Sequence, residues 1–318
     1  MERSLRNRLT FGPIMLVVLI GLLWLDANFQ GMTRQWTQDA FGYMRFEPHK
    51  HEMQSGVGGL GLLIILAVVL PIATREIATL FSAENVRPYP WIAALGSSAL
   101  VLHAFLTQFP PFKTIAASVL AFIVAFIPLL AALRRAWDKQ TQEAIVRMAG
   151  TVLASLYLGG LGWFLMAIRV KQGQGESGFK GTTAIILMIL LMVKFTDIGA
   201  YFGGRALGRH KLIPWLSPGK TWEGLLFGLA TAAGVGMLFS LAAGDNGIPD
   251  YWTWWRGILF GVVIGGVGQL GDLLESLMKR DAEVKDSGQV VPGFGGVLDI
   301  IDSPLLAAPI AYLMFSLV

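Results

Sequence analysis

The sequence predicts an all-α, polytopic integral membrane protein with about nine transmembrane helices, its N-terminus in and its C-terminus out. Three observations carry that prediction. Of the 318 residues, 54% are hydrophobic and only 14% are charged, where a soluble domain carries roughly 25% charged residues. Apolar runs near 20 residues recur along the chain, the length needed to cross a bilayer core about 30 Å thick at about 1.5 Å per residue. Lys and Arg also concentrate in alternate inter-span segments. A single soluble core cannot hide this much apolar surface, so a soluble enzyme and a disordered chain are excluded. The formal charge of +4 is accounted for by basic cytoplasmic loops, and no nucleic-acid partner is expected. With no Cys there is no disulfide framework, thiolate metal site or Cys nucleophile.

The predicted spans are 11–27, 57–74, 91–109, 114–133, 148–168, 182–202, 224–243, 256–274 and 298–318. Arg3, Arg6 and Arg8 before the first run resemble a secretory signal. The run ends Leu23-Trp24-Leu25-Asp26, which offers no small-x-small cleavage site, so it reads as a retained span. The stretch 28–55 carries Trp36, Phe41, Tyr43 and Phe46 among polar residues and reads as an interfacial element or an external loop. Spans two to five are ordinary apolar segments, and His103 in the third reads as a satisfied core histidine. Residues 1–180 are thus a scaffold and possible oligomer interface, and 181–318 a C-terminal catalytic membrane domain. With the N-terminus inside, the inner segments carry about twice as many Lys and Arg as the outer ones, Arg169 and Lys171 being counted outside.

The unusual residues come late in the chain. Ionisable groups at membrane depth cost at least about 2.5–3.5 kcal/mol each, so they are functional candidates by default. Span six ends with Lys194 and Asp197 at i, i+3, followed by Tyr201 and Arg205. The next segment contains Ser217-Pro218-Gly219-Lys220-Thr221-Trp222-Glu223-Gly224. Its Gly-Lys-Thr is not a P-loop, because Pro214 stands where the first glycine belongs and no strand precedes it. It reads as a helix start, with Ser217 or Thr221 as N-cap, Glu223 in the first turn and Lys220 placed to meet a phosphate.

Span eight ends with Asp272, Glu275 and Ser276 on one face, Glu275 being spaced to pair with Lys279. Span nine opens with Asp299 and Asp302 on one face. Carboxylates from separate helices repel unless a cation sits between them, and oxygen-only ligands select hard ions such as Mg²⁺. Between these helices lies a glycine-rich segment, Lys285-Asp286-Ser287-Gly288 to Gly295-Gly296, beside Lys279 and Arg280. Metal, backbone N–H donors and basic side chains are the components of a phosphoryl or nucleotidyl transfer site.

From Ser276 to Asp302 the chain resembles the signature of phosphatidate cytidylyltransferases, the CDP-diacylglycerol synthases. Ser276, Met278, Lys279, Arg280, Lys285, Asp286, Gly288, Pro292, Gly295, Gly296, Val297, Asp299 and Asp302 match it. The stretch Asp197 to Arg205 and the run Ser217 to Gly224 are also similar to that family's. Four positions depart: Phe294 stands for a His, Ile300 for an Arg, Val291 for a Leu, Ile or Phe, and Gly219 for a Lys.

The resemblance implies that CTP and phosphatidate are joined into CDP-diacylglycerol with release of diphosphate, and the charge bias predicts that this happens at the cytoplasmic side of an inner membrane. It implies Mg²⁺, with a second monovalent or divalent cation left open, and a homodimer. On that reading Asp272, Asp299 and Asp286 hold metal. Lys279, Arg280, Lys285 and Asp286 serve the transfer. Asp197, Arg205, Ser217, Lys220, Thr221 and Glu223 bind or shape the nucleotide and lipid-phosphate site. The competing readings are a nucleotidyl or phosphoryl transferase acting on an isoprenoid ether lipid or polyprenol, and a membrane transporter. The charges cluster at one membrane face and no internal repeat stands out, which favours an interfacial enzyme.

Overall fold

The computed structural model describes residues 2–42, 56–171, 182–242, 252–293 and 295–317. The helices are α1 (Glu2–Gly42), α2 (Leu60–Ala83), α3 (Pro90–Leu106), the single turn α4 (Pro110–Lys113), α5 (Ala116–Trp137), α6 (Ala144–Ser155) and α7 (Leu161–Val170). A π turn at Leu156–Gly160 runs α6 into α7. Then come α8 (Thr183–Leu207), β1 (Lys211–Ile213), β2 (Ser217–Thr221), α9 (Trp222–Leu241), α10 (Trp254–Asp281) and α11 (Leu298–Leu317).

Each predicted span falls on a helix. Among the described residues, eight helical segments are long and apolar enough to cross a bilayer, α6–α7 counting as one, and α3 is a shorter apolar helix of 17 residues. Val17, Val68, Phe122, Leu226 and Leu238 are all more than half exposed. Faces of this kind need an apolar solvent, so the chain is an integral membrane protein. The stretch 28–55 is neither a separate surface helix nor a plain loop over its first part. Residues 28–42 continue α1, because no Gly-Pro break follows Asp26; Tyr43, Phe46 and the rest of 43–55 lie outside the described residues.

The chain divides into two compact units, Met1–Gln172 with Asp281–Ile300, and Gly173–Arg280 with Ile301–Val318. The first has a core of Leu70, Ile77, Ile92, Leu158 and Met166. The π turn brings Gly159 against α3, where a Cβ would lie 2.3 Å from the Ser97 Cα. His103 is satisfied as predicted: Nδ1 accepts from Trp163 Nε1 at 2.9 Å and Nε2 faces the Ala116 carbonyl at 2.8 Å. These partners define the neutral tautomer with its proton on Nε2.

One expectation changes. Arg169 is not an outer-loop charge but a fully buried residue of α7, bonded to Asp26 of α1 at 2.7 Å and to Gln30 at 2.9 Å. Asp26 also accepts from Gly61 N, while Gln108 grips both the N–H and the carbonyl of Gly58. This polar knot fixes the entry into α2. Arg169 therefore leaves the outer count, which strengthens the charge bias.

In the second unit α8 and α9 pack backbone to backbone: a Cβ on Gly228 would meet the Thr196 carbonyl oxygen at 2.7 Å. Thr231 donates across to the Phe195 carbonyl at 2.8 Å. Trp252, Phe260 and Phe315 form an aromatic cluster with centroids 4.7–5.3 Å apart. The segment 217–224, read as a helix start with no strand before it, begins as the second strand of an antiparallel hairpin, Lys211 opposite Thr221, which no hydrophobic period announces; Ser217 is therefore a strand residue and not an N-cap. The helix start is where it was expected. Thr221 is the N-cap of α9, accepting from Gly224 N at 3.1 Å.

Candidate active site

The second unit gathers three carboxylates. Asp272 and Glu275 share a face of α10, and Asp302 stands on α11. One oxygen from each lies within 4.8 Å of the others. Small residues make this possible, since a Cβ on Gly271 would come within 2.9 Å of the Ser303 Cα. Lys220, carried by β2, reaches Asp272 at 2.5 Å, and Lys279 reaches Glu275 at 2.8 Å. The second contact is the i, i+4 pair expected from the spacing.

Asp302 has no lysine partner among the described residues. It is 2% exposed, and its Oδ2 is buried with no hydrogen-bond partner among the described residues. A buried carboxylate oxygen without a donor is costly, and a hard cation is the ligand that would satisfy it. The donor set, all oxygen and mutually close, suits Mg²⁺.

Beside these acids, Asp197 accepts from Gln269 Nε2 at 2.7 Å and lies 3.9 Å from Lys194. Gln269 is buried and was not singled out in the sequence, since an amide in an apolar run carries no charge signal. Arg280 Nε points to the Leu216 carbonyl at 3.4 Å, tying α10 to the hairpin. Arg205 donates to the Tyr201 hydroxyl at 3.1 Å. Glu223 is engaged by His210, through Nδ1 at 2.6 Å and through the backbone N–H. Ser217 opens β2 and is half-buried. Glu223, Thr221 and Ser217 thus belong to the frame that presents Lys220.

The glycine-rich segment belongs to the first unit. Val291 and Gly295 exchange two backbone hydrogen bonds around a tight turn, with Gly293 and Gly295 at φ +87° and +99°. Phe294, one of the departures from the signature, lies outside the described residues. Asp299 Oδ2 accepts from Ser287 Oγ at 2.9 Å, Ser287 N at 3.2 Å and Gly296 N at 2.7 Å. Lys285 and Asp286 are exposed.

A second acid sits in this loop. Glu76 of α2 is buried and accepts from Val297 N at 3.0 Å and Leu298 N at 2.8 Å. Glu76 falls just past the predicted span 57–74, next to Arg75, where an acid carries no signal of its own.

Comparison with known proteins bears on this arrangement. Residues 55–318 match the model of the cytidylyltransferase family. The chain is 43% identical over 130 residues to a phosphatidate cytidylyltransferase from Haemophilus influenzae, covering 39% of this chain and 43% of that protein. It is 31% identical over 279 residues to one from Synechocystis, covering 80% of this chain and 88% of that protein. It is also 30% identical over 255 residues to an uncharacterised Escherichia coli protein named YnbB, covering 79% of this chain and 77% of the other.

Proposed function

The chain belongs to the cytidylyltransferase family, and from that membership we propose that it is a phosphatidate cytidylyltransferase, making CDP-diacylglycerol and diphosphate from CTP and phosphatidate. The observation that carries the proposal is the match over 55–318, which contains every acid and base of the candidate site. The charge bias supports a site on the cytoplasmic face of an inner membrane, where CTP is.

The chemistry asks little of a general base. A phosphate oxygen of the lipid is already an anion, and it attacks the α-phosphorus of CTP. The bond from that phosphorus to the bridging oxygen breaks, and diphosphate leaves with the electron pair. The protein must hold two polyanions together and stabilise the leaving group. Lys220, Lys279, Arg280 and Lys285 supply positive charge for the triphosphate. Asp197 and Arg205 are assigned to nucleotide or headgroup contacts. The frame of Thr221, Glu223 and Ser217 keeps Lys220 in place. Asp272, Glu275 and Asp302 of the second unit are the residues that would hold Mg²⁺; Asp299 and Asp286, in the first unit, are metal candidates from the resemblance alone. Bound Mg²⁺ would supply charge neutralisation on the phosphates.

The test is purified protein in lipid vesicles with CTP and Mg²⁺, offered phosphatidate, a polyprenyl phosphate and an isoprenoid ether lipid phosphate in turn. Diphosphate release and a CDP-lipid product with phosphatidate are expected. Release only with another acceptor would replace the substrate assignment. Asp272→Asn and Asp299→Asn should each abolish product while leaving an inserted, folded protein. Near wild-type turnover in either would remove that residue from the metal set.

A further inference from the structure

We infer that Glu76 is a positioning residue for the transfer reaction, acting through the 287–298 loop; the inference rests on the proposed activity. Glu76 lies on α2, far in sequence from every residue assigned above, and it is 6% exposed. Both of its carboxylate oxygens are used. Oε1 accepts from Val297 N at 3.0 Å, and Oε2 accepts from Leu298 N at 2.8 Å. These are N–H groups at the start of α11, which have no intrahelical partner and present the positive end of the helix dipole. The carboxylate therefore caps α11 from outside its own chain segment.

The same carboxylate reaches the other limb of the loop. Ser287 Oγ lies 3.4 Å from Glu76 Oε2 and 2.9 Å from Asp299 Oδ2. A hydroxyl has one proton to donate, so it serves the nearer Asp299, and the serine separates two like charges. Glu76 also bears on two glycines of the loop. A Cβ on Gly288 would stand 2.5 Å from Glu76 Oε1, and one on Gly296 would stand 2.1 Å from Ser287 Oγ and 2.7 Å from Glu76 Oε2. Both limbs thus close over one carboxylate, with Asp299 fixed three residues beyond Gly296. A purely structural acid at a helix start would need the contacts to Val297 and Leu298 only. The two glycine faces and Ser287 bring the whole loop, with Lys285 and Asp286 on its exposed rim, under the control of α2.

The experiment uses the full chain in vesicles and compares wild type, Glu76→Gln, Glu76→Asp and Leu66→Ala. Leu66 is buried on the same helix, ten residues before Glu76, so it reports what lost stability alone does. Melting temperature, kcat and KM for CTP, and the rate of trypsin cleavage at Lys285 are measured. Glu76→Gln places an NH₂ against a backbone donor. It should lower kcat about 10- to 100-fold, the range for a misplaced supporting shell. Its melting temperature should fall no further than that of Leu66→Ala, and cleavage at Lys285 should accelerate. Glu76→Asp, which keeps the charge, should recover part of kcat. Equal kcat and KM in wild type and Glu76→Gln would overturn the inference, as would a loss matched by Leu66→Ala at equal melting temperature. If wild type transfers to no lipid, the functional reading fails. Unchanged Lys285 cleavage in Glu76→Gln would then still refute the loop lock on its own.

Discussion

Asp302 is a buried acid whose surroundings suit it poorly. Asp272 and Glu275 each have a lysine, whereas Asp302 Oδ2 is buried without a donor among the described residues. Such strain is expected where function has been favoured over stability. Two opposite effects should follow from Asp302→Asn. The metal-free protein should melt higher, because a buried charge beside two other carboxylates has been neutralised. On the proposed Mg²⁺ site, Mg²⁺ should raise the melting temperature of wild type and raise that of Asp302→Asn less, because ligand stabilisation scales with affinity for the folded state. A thermal-shift titration with Mg²⁺ alone reads both, without any substrate. A lower metal-free melting temperature, with the Mg²⁺ shift intact, would make Asp302 a plain structural acid.

At the scale of elements, long-range polar contacts decide how the helices of the first unit are held. Asp26 and Arg169 come from α1 and α7 and are both fully buried at the side chain. Removing one partner of such a pair leaves an uncompensated buried charge and destabilises by about 3–5 kcal/mol, while removing both is often neutral. Asp26→Leu and Arg169→Leu should therefore each depress the yield of folded protein and its melting temperature, and the double variant should recover most of the loss. Additive single effects would show that the pair is not coupled.

The same contrast explains what could be read in advance. Helix positions follow from runs of apolar residues, and Lys194–Asp197 and Glu275–Lys279 follow from helical spacing, because each is a property of a few neighbouring residues. Thr221 and Glu223 announced a helix start in the same local way. Asp26 and Arg169 are 143 residues apart, and Glu76 and Leu298 are 222 apart. Nothing local specifies such partners. Glu76 bonds backbone N–H groups, which every residue except proline carries, so its target leaves no mark in the sequence. Asp302 was visible as an acid on the face of Asp299. Its grouping with Asp272 and Glu275 depends on how α10 meets α11, which spacing along either helix does not encode.

For the whole molecule, the Glu76 contact constrains membrane topology. The C-terminal half of α2 and the first residue of α11 are joined by hydrogen bonds, so they lie at the same face. Between them run α3, α5, α6–α7, α8, α9 and α10. Six crossings return the chain to the face it left, whereas five would strand α11 on the other side. If the longer helices cross, the 17-residue α3 must cross too, spanning about 26 Å at about 1.5 Å per residue. The prediction is then nine crossings among the described helices, with the termini on opposite faces, the arrangement expected from the Lys and Arg bias. The absence of native Cys makes this directly testable, because any introduced thiol is unique. Single variants Asn85→Cys, Lys139→Cys and Glu283→Cys place a thiol at exposed positions after α2, α5 and α10, and Lys113→Cys places one between α3 and α5. An impermeant maleimide applied to oriented vesicles should label the first three from the cytoplasmic face and Lys113→Cys only from the other. Labelling of Asn85→Cys and Lys113→Cys from one face would mean that α3 turns back within the membrane. The parity would then have to be restored by another helix.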